Sequence, residues 1–175
     1  MNYFIMQTDE RITFHKNLDY SQPEFRKKEP FVTFSEFDEN DRCPDFFSGR
    51  SLFDTYFCVT DRLKEILEVY SSTLQVVPFF LTDKKYRSQL VCWNINLPVE
   101  ECIYLEGRIH ESPRFFLNGT NEQQYIVCVV NEKAHYLIVS LELAENILRR
   151  QLYGIRFMPV SIVWKEDKAF ENNHS

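Results

Sequence analysis

The sequence predicts an α+β fold: mostly antiparallel sheet carrying two pseudo-repeated strand–helix–strand units. Three observations predict it. Aromatic residues are abundant and glycine is scarce, with 16 Phe and 9 Tyr against 4 Gly; that bias favours pleated, bulky cores. Two stretches carry the apolar period of an amphipathic helix. Those two stretches also sit in matching surroundings, each between an apolar strand and a proline-bearing one.

The elements follow in order. Tyr3 to Met6 reads as a short first strand. Residues from about 9 to 54 are polar and turn-rich, with Pro23, Pro30 and Pro44. Within them Phe31-Val32-Thr33-Phe34 alternates and predicts a strand. Ser35 to Asp45 has no helical period and holds Glu36, Asp38, Glu39, Asp41 and Asp45, so it reads as an acidic surface loop.

The first unit is Tyr56-Phe57-Cys58-Val59-Thr60, then a helix with Leu63, Ile66, Leu67 and Tyr70 on one face, then Leu74 to Phe79. The second is Tyr136-Leu137-Ile138-Val139-Ser140, then Leu143, Ala144, Ile147 and Leu148, then Ile155 to Val160. Val59 and Thr60 match Val139 and Ser140 at an offset of 80 (139 less 59), and Pro78 matches Pro159 at 81 (159 less 78). Thr60 and Ser140 are N-cap residues by type, since a hydroxyl oxygen accepts an orphan N–H of the first turn. Asp61 and Glu142 suit the positive end of the helix dipole, and Arg149 and Arg150 its negative end. Gly154 is placed to close the second helix at C′. Pro78 and Pro159 each remove a ladder donor, which predicts a sheet edge or a bulge.

Between the units, Gln89 to Asn96, Cys102 to Leu105, Arg114 to Leu117 and Tyr125 to Val130 are further strands. Asn131-Glu132-Lys133 predicts a turn that pairs Tyr125–Val130 with His135–Val139 as a hairpin. The whole reads as one domain over 1–175, divisible into lobes at 1–100 and 101–165, with a polar tail at 166–175 that frays.

Charge narrows the function. Lys plus Arg total 20 and Asp plus Glu 26, giving −6 and a pI near 5.3. That field repels phosphates and excludes a free-standing nucleic-acid binder driven by bulk charge. The basic run Arg26-Lys27-Lys28 is offset by Glu24 and Glu29 and reads as a solvated face. The N-terminal residues lack a basic region and a small-residue cleavage site, and no apolar run reaches the roughly 18 residues of a membrane span. Five cysteines, Cys43, Cys58, Cys92, Cys102 and Cys128, are odd in number and have no C-x-x-C spacing. They read as buried free thiols of a cytoplasmic protein with no metal and no cofactor. Asn118-Gly119-Thr120 reads as a turn rather than a glycosylation site.

Catalytic patterns are missing at the sequence level. Ser48-Gly49 and Ser51 lack a nucleophile elbow. His15, His110, His135 and His174 have no ligand spacing, and His135 reads as a surface or turn residue ahead of its strand. Glu100-Glu101 point to opposite faces if on a strand, and read better as a solvated loop. Trp93 and Trp164 read as core, with a partner-binding hot spot as the alternative.

Val139-Ser140-Leu141-Glu142-Leu143-Ala144-Glu145-Asn146-Ile147-Leu148, followed by Leu152-Tyr153-Gly154-Ile155-Arg156-Phe157-Met158-Pro159-Val160, resembles the C-terminal signature of a bacterial family. There a Val-Ser start leads into a helix and then a Gly-Ile/Val-x-Phe-x-Pro-Val strand. Pro44-Asp45-Phe46-Phe47 and Phe57-Cys58-Val59-Thr60-Asp61-Arg62-Leu63-Lys64 are similar to its N-terminal counterpart. The family is immunity-protein family eleven of polymorphic toxin systems, and the likeness spans about 44–163. Its motifs are structural, so no catalytic residue is carried over. The resemblance implies a cytoplasmic protein that binds and blocks a cognate toxin. Toxins acting on nucleic acid have basic clefts for which an acidic loop competes, which makes Glu36, Asp38, Glu39, Asp41 and Asp45 the candidate partner-binding residues. Two other readings stand beside it: a small hydrolase or transferase with a pocket between the repeated units, and a homo-oligomeric scaffold, such as a homodimer, built on an apolar patch.

Overall fold

Eleven strands and two α-helices form two sheets in this computed structural model, which describes residues 2–14, 17–37, 42–52, 54–83, 85, 87–105, 112–118, 124–132 and 134–165. In chain order these are β1 (Tyr3–Thr8), β2 (Phe31–Phe34), β3 (Phe46–Arg50), β4 (Thr55–Val59), α1 (Asp61–Tyr70), β5 (Gln75–Asp83), β6 (Ser88–Asn96), β7 (Val99–Leu105), β8 (Arg114–Asn118), β9 (Ile126–Asn131), β10 (Ala134–Ser140), α2 (Leu141–Arg149) and β11 (Ile155–Lys165). One sheet is open, with the order β2-β5-β6-β4-β3. The other is a closed six-stranded barrel, β1-β10-β9-β7-β8-β11.

The α+β class holds, and seven of the ten strand pairs among the described residues are antiparallel, but both sheets are mixed. The pairs β2–β5, β7–β9 and β8–β11 are parallel. Closure was not expected either, because it depends on non-local pairing. The N-terminal β1 inserts between β10 and β11, pairing antiparallel with both. Two regions expected to lack strands contain them: β3 lies in the turn-rich N-terminal third, and Glu100 and Glu101 are on β7.

Each helix bridges two parallel strands that flank a third. β4 and β5 both run antiparallel to β6, so they are parallel to each other, and α1 joins them. β10 and β11 have the same relation to β1, and α2 joins them. The helices bury most of the predicted faces, Leu63, Ile66 and Leu67 on α1 and Leu143, Ala144 and Ile147 on α2, but Tyr70 is half-buried and Leu148, expected on the buried face, is exposed. Between the sheets the buried side chains meet Phe46, Phe57 and Val59 from one side and Met6, Leu137 and Val139 from the other.

Two further cores flank this one. The barrel is filled by Tyr3, Ile5, Phe115, Leu117, Val127, Val129, Ile138 and Val160, alternating in along their strands. The far face of the open sheet carries Phe31, Phe47, Val77, Phe79, Leu81 and Cys92. It is closed by Ile12, Phe14, Leu18, Tyr20, Phe25 and Phe37 from the polar N-terminal third, whose scattered apolar residues are therefore structural. Phe25 packs against Tyr20, Phe31, Tyr56 and Phe79 with ring centroids 5.0–5.6 Å apart.

Local chemistry explains the connections. Ser140 caps α2, its Oγ accepting from the Leu143 N–H at 3.3 Å. Thr60 occupies the same position on α1, but its hydroxyl donates to Asp45 instead and caps nothing. α2 leaves its helical path at Gln151, where φ is +52°, three residues before the expected Gly154. Gly154 is needed for another reason. Its φ is +83°, its carbonyl accepts the Asp9 N–H, and a side chain there would collide with Pro44 and Ile12. Pro78 and Pro159 sit on interior strands rather than edges, yet each precedes the first residue paired with its outer neighbour: Phe79 pairs Phe31, and Ser161 pairs Arg114. The missing donor therefore leaves no ladder carbonyl unpaired on that side.

Candidate functional site

Of the acidic residues proposed for a partner, Asp38, Glu39 and Asp41 lie outside the described residues. The structure separates the other two. Glu36 is exposed just beyond β2 and lines a groove of about 500 Å³ with Asn17, Phe34, Ser35, Asp83 and Lys85. Asp45 is 4 % exposed, buried rather than on the surface loop expected for it. Its carboxylate accepts the Thr60 hydroxyl at 2.5 Å and the Tyr153 N–H at 2.7 Å, with Arg62 Nη1 3.5 Å away. Its backbone N–H donates to the Tyr153 carbonyl. Asp45 thereby ties the start of β3 and of α1 to the segment after α2. Acidic composition alone did not distinguish this buried carboxylate from the solvated ones.

Beside Glu36 lies an open apolar face. Strand register puts Val32, Phe80 and Val91 in one row across β2, β5 and β6. Pro78 and Trp93 form the next row on that face. There α1 covers the sheet: Trp93 Nε1 donates to Asp61, and Lys64 lies over the indole ring at 4.8 Å. The face emerges from under α1 at Val91. Val32, Phe34 and Val91 are 47, 45 and 44 % exposed, and Phe80 is half-buried between them. The alternating pattern at 31–34 was legible in the sequence. Which of its two faces stays open was not, because that depends on where α1 and the N-terminal segment lie.

A second feature lies between the open sheet and the barrel. Two cavities, of about 340 and 540 Å³, share Thr55 and Phe57 of β4 and His135 of β10 in their walls. His135 is on a strand and half-buried, not in a turn ahead of one. Burial holds its imidazole below the ordinary value, with Asp54 pulling it up and Arg50 down. His135 Nδ1 and Thr55 Oγ1 are buried with no hydrogen-bond partner among the described residues. Ile95, Leu97 and Val99 give the smaller cavity an apolar wall, and Arg26, Lys27 and Lys28 reach its mouth.

The five cysteines are unbridged. Burial pushes the Cys102 thiol up to about 11 and the Cys128 thiol up to about 12. Burial also raises Cys58, and the Cys43 thiol beside Cys92, together with burial, raises Cys92. Such thiols are inert packing groups. His15, His110 and His174 lie outside the described residues. Among the described residues no group of His, Cys, Asp and Glu is arranged to hold a metal, and no helix is long and apolar enough to cross a membrane. No known family profile matches the chain, and no curated protein matches it significantly.

Proposed function

We propose that this chain is a cytoplasmic immunity protein that neutralises a bacterial toxin by stoichiometric binding. The observation that carries the reading is the open face of Val32, Phe34, Phe80 and Val91, with Glu36 at its border. An apolar centre with a charged rim is the anatomy of a protein-binding surface. The chain's net charge of −6 favours a basic partner, and the acidic stretch continuing from Glu36 would steer it. The likeness of 44–163 to the immunity family supplies the class of partner.

The same reading includes an internal repeat. We infer that β3-β4-α1-β5 and β9-β10-α2-β11 are copies of one unit, packed helix to helix. In support, β6 and β1 fill the same place in the two copies, as do β2 and β8. The Thr60 N–H donates to the Asp45 carbonyl, and the Ser140 N–H to the Tyr125 carbonyl, both pairs at an offset of 80 (140 less 60, 125 less 45).

The test is rescue of growth when the chain is co-expressed with a toxin domain encoded beside it, followed by titration of the purified pair. Val32→Asp with Phe34→Asp is expected to abolish rescue and weaken binding at least a hundredfold, at unchanged folding. Glu36→Lys is expected to weaken binding and flatten its salt dependence. Full rescue by the double variant would overturn the reading. So would a homodimer that the double variant dissolves, because the face would then belong to self-association.

A further inference from the structure

The cleft between the open sheet and the barrel is independent of the β2 face, and nothing in the proposed partner binding uses it. Its smaller cavity, about 340 Å³, has the size of a small-molecule site. Three features of its wall bear on what it would hold. Phe57, Ile95 and Val99 are apolar. Thr55 Oγ1 and His135 Nδ1 are polar atoms removed from solvent without a partner among the described residues, a desolvation cost that a ligand hydrogen bond would relieve. The run Arg26-Lys27-Lys28 gives the mouth three cations against one lining carboxylate, Asp54, which sits 3.4 Å from Arg26. Among the described residues Lys27 has a loose surface contact with Glu24, at 3.9 Å. In a chain of net charge −6 the lining of this cavity is net positive, with Glu24 and Glu29 outside it. The run reads as a solvated face in sequence, because Arg26 to Lys28 come to line one cavity with Thr55, Phe57 and His135 only in the fold.

We propose that this cleft binds a small amphipathic anion. Its apolar body lies on Phe57, Ile95 and Val99 beside His135, and its charged head meets Lys27 and Lys28; a second polar group, in a ligand that carries one, bonds to His135 Nδ1. Fixed cations at an apolar mouth select an anion over a neutral molecule of the same shape.

Calorimetric titration of the full chain with octanoate and with 1-octanol tests this. Octanoate is expected to saturate one site and bind at least tenfold more tightly than the alcohol. Lys27→Glu with Lys28→Glu, both exposed positions, is expected to remove that preference and leave the alcohol's affinity unchanged. Octanoate is also expected to shift the His135 imidazole resonances, and Val32→Asp with Phe34→Asp to leave its binding intact. Failure of the toxin reading would therefore not touch this result. No saturable heat at millimolar octanoate, equal affinity for acid and alcohol, or an unaltered preference in the lysine variant would each overturn the proposal.

Discussion

Asp45 receives two short hydrogen bonds from elements that are far apart in sequence, the Thr60 hydroxyl and the Tyr153 N–H. Asp45→Ala leaves two half-buried donors without their acceptor, and is expected to lower unfolding stability by about 2–4 kcal/mol; urea denaturation measures it. His135 makes the opposite kind of contribution. Its folded pKa is lowered, so below the unfolded value of about 6.5 the unfolded chain binds more protons than the native one. Stability is therefore expected to fall as pH drops through about 6.5 toward the folded pKa, and this contribution is flat above that window. His135→Phe is expected to reduce that fall, seen as a smaller difference between urea midpoints at pH 7 and pH 5. Both residues were visible as residue types, and neither role was legible. Asp45 looked like one more solvated carboxylate in an acidic run, and His135 like a turn residue. Burial decides both, and burial is set by chain segments distant in sequence.

At the scale of elements, local signals were read well where the physics is local. The 3.6 period placed both helices, and three of the four predicted face residues of α2 are buried, the last, Leu148, standing exposed at the helix end. Ser140 caps α2 as its type predicts, so Ser140→Ala is expected to cost about 1 kcal/mol in urea or thermal unfolding. Thr60 shows the limit of such reading. The same residue class at the same position spends its hydroxyl on Asp45, because a buried carboxylate competes with the helix end for the group. Gly154 shows another limit. It was assigned to end α2, yet Gln151 takes the left-handed conformation, and Gly154 is required by the approach of Pro44 and Ile12.

Across the whole molecule, the layer of α1, α2, Phe46, Phe57, Leu137 and Val139 belongs to both sheets at once. Neither sheet covers that face without the other, so the chain is expected to unfold as one unit. Trp93 reports on the open sheet and Trp164 on the barrel. Single-tryptophan variants Trp93→Phe and Trp164→Phe should give urea transitions that coincide with far-UV circular dichroism of the same variant. A separation between fluorescence and dichroism in either variant would show that the sheets unfold independently.

The sequence by itself determined the α+β class, both helices and their buried faces, most strands, and the capping of α2, because periodicity, residue volume and hydrogen-bonding type act over a few neighbouring residues. Only the tertiary structure decided that β1 closes a barrel between β10 and β11, that the N-terminal third supplies a core, that Asp45 is buried, and that Val32 and Phe34 stand open. Those outcomes depend on which segments meet across the fold, and strand pairing over more than a hundred residues leaves no periodic trace in either partner.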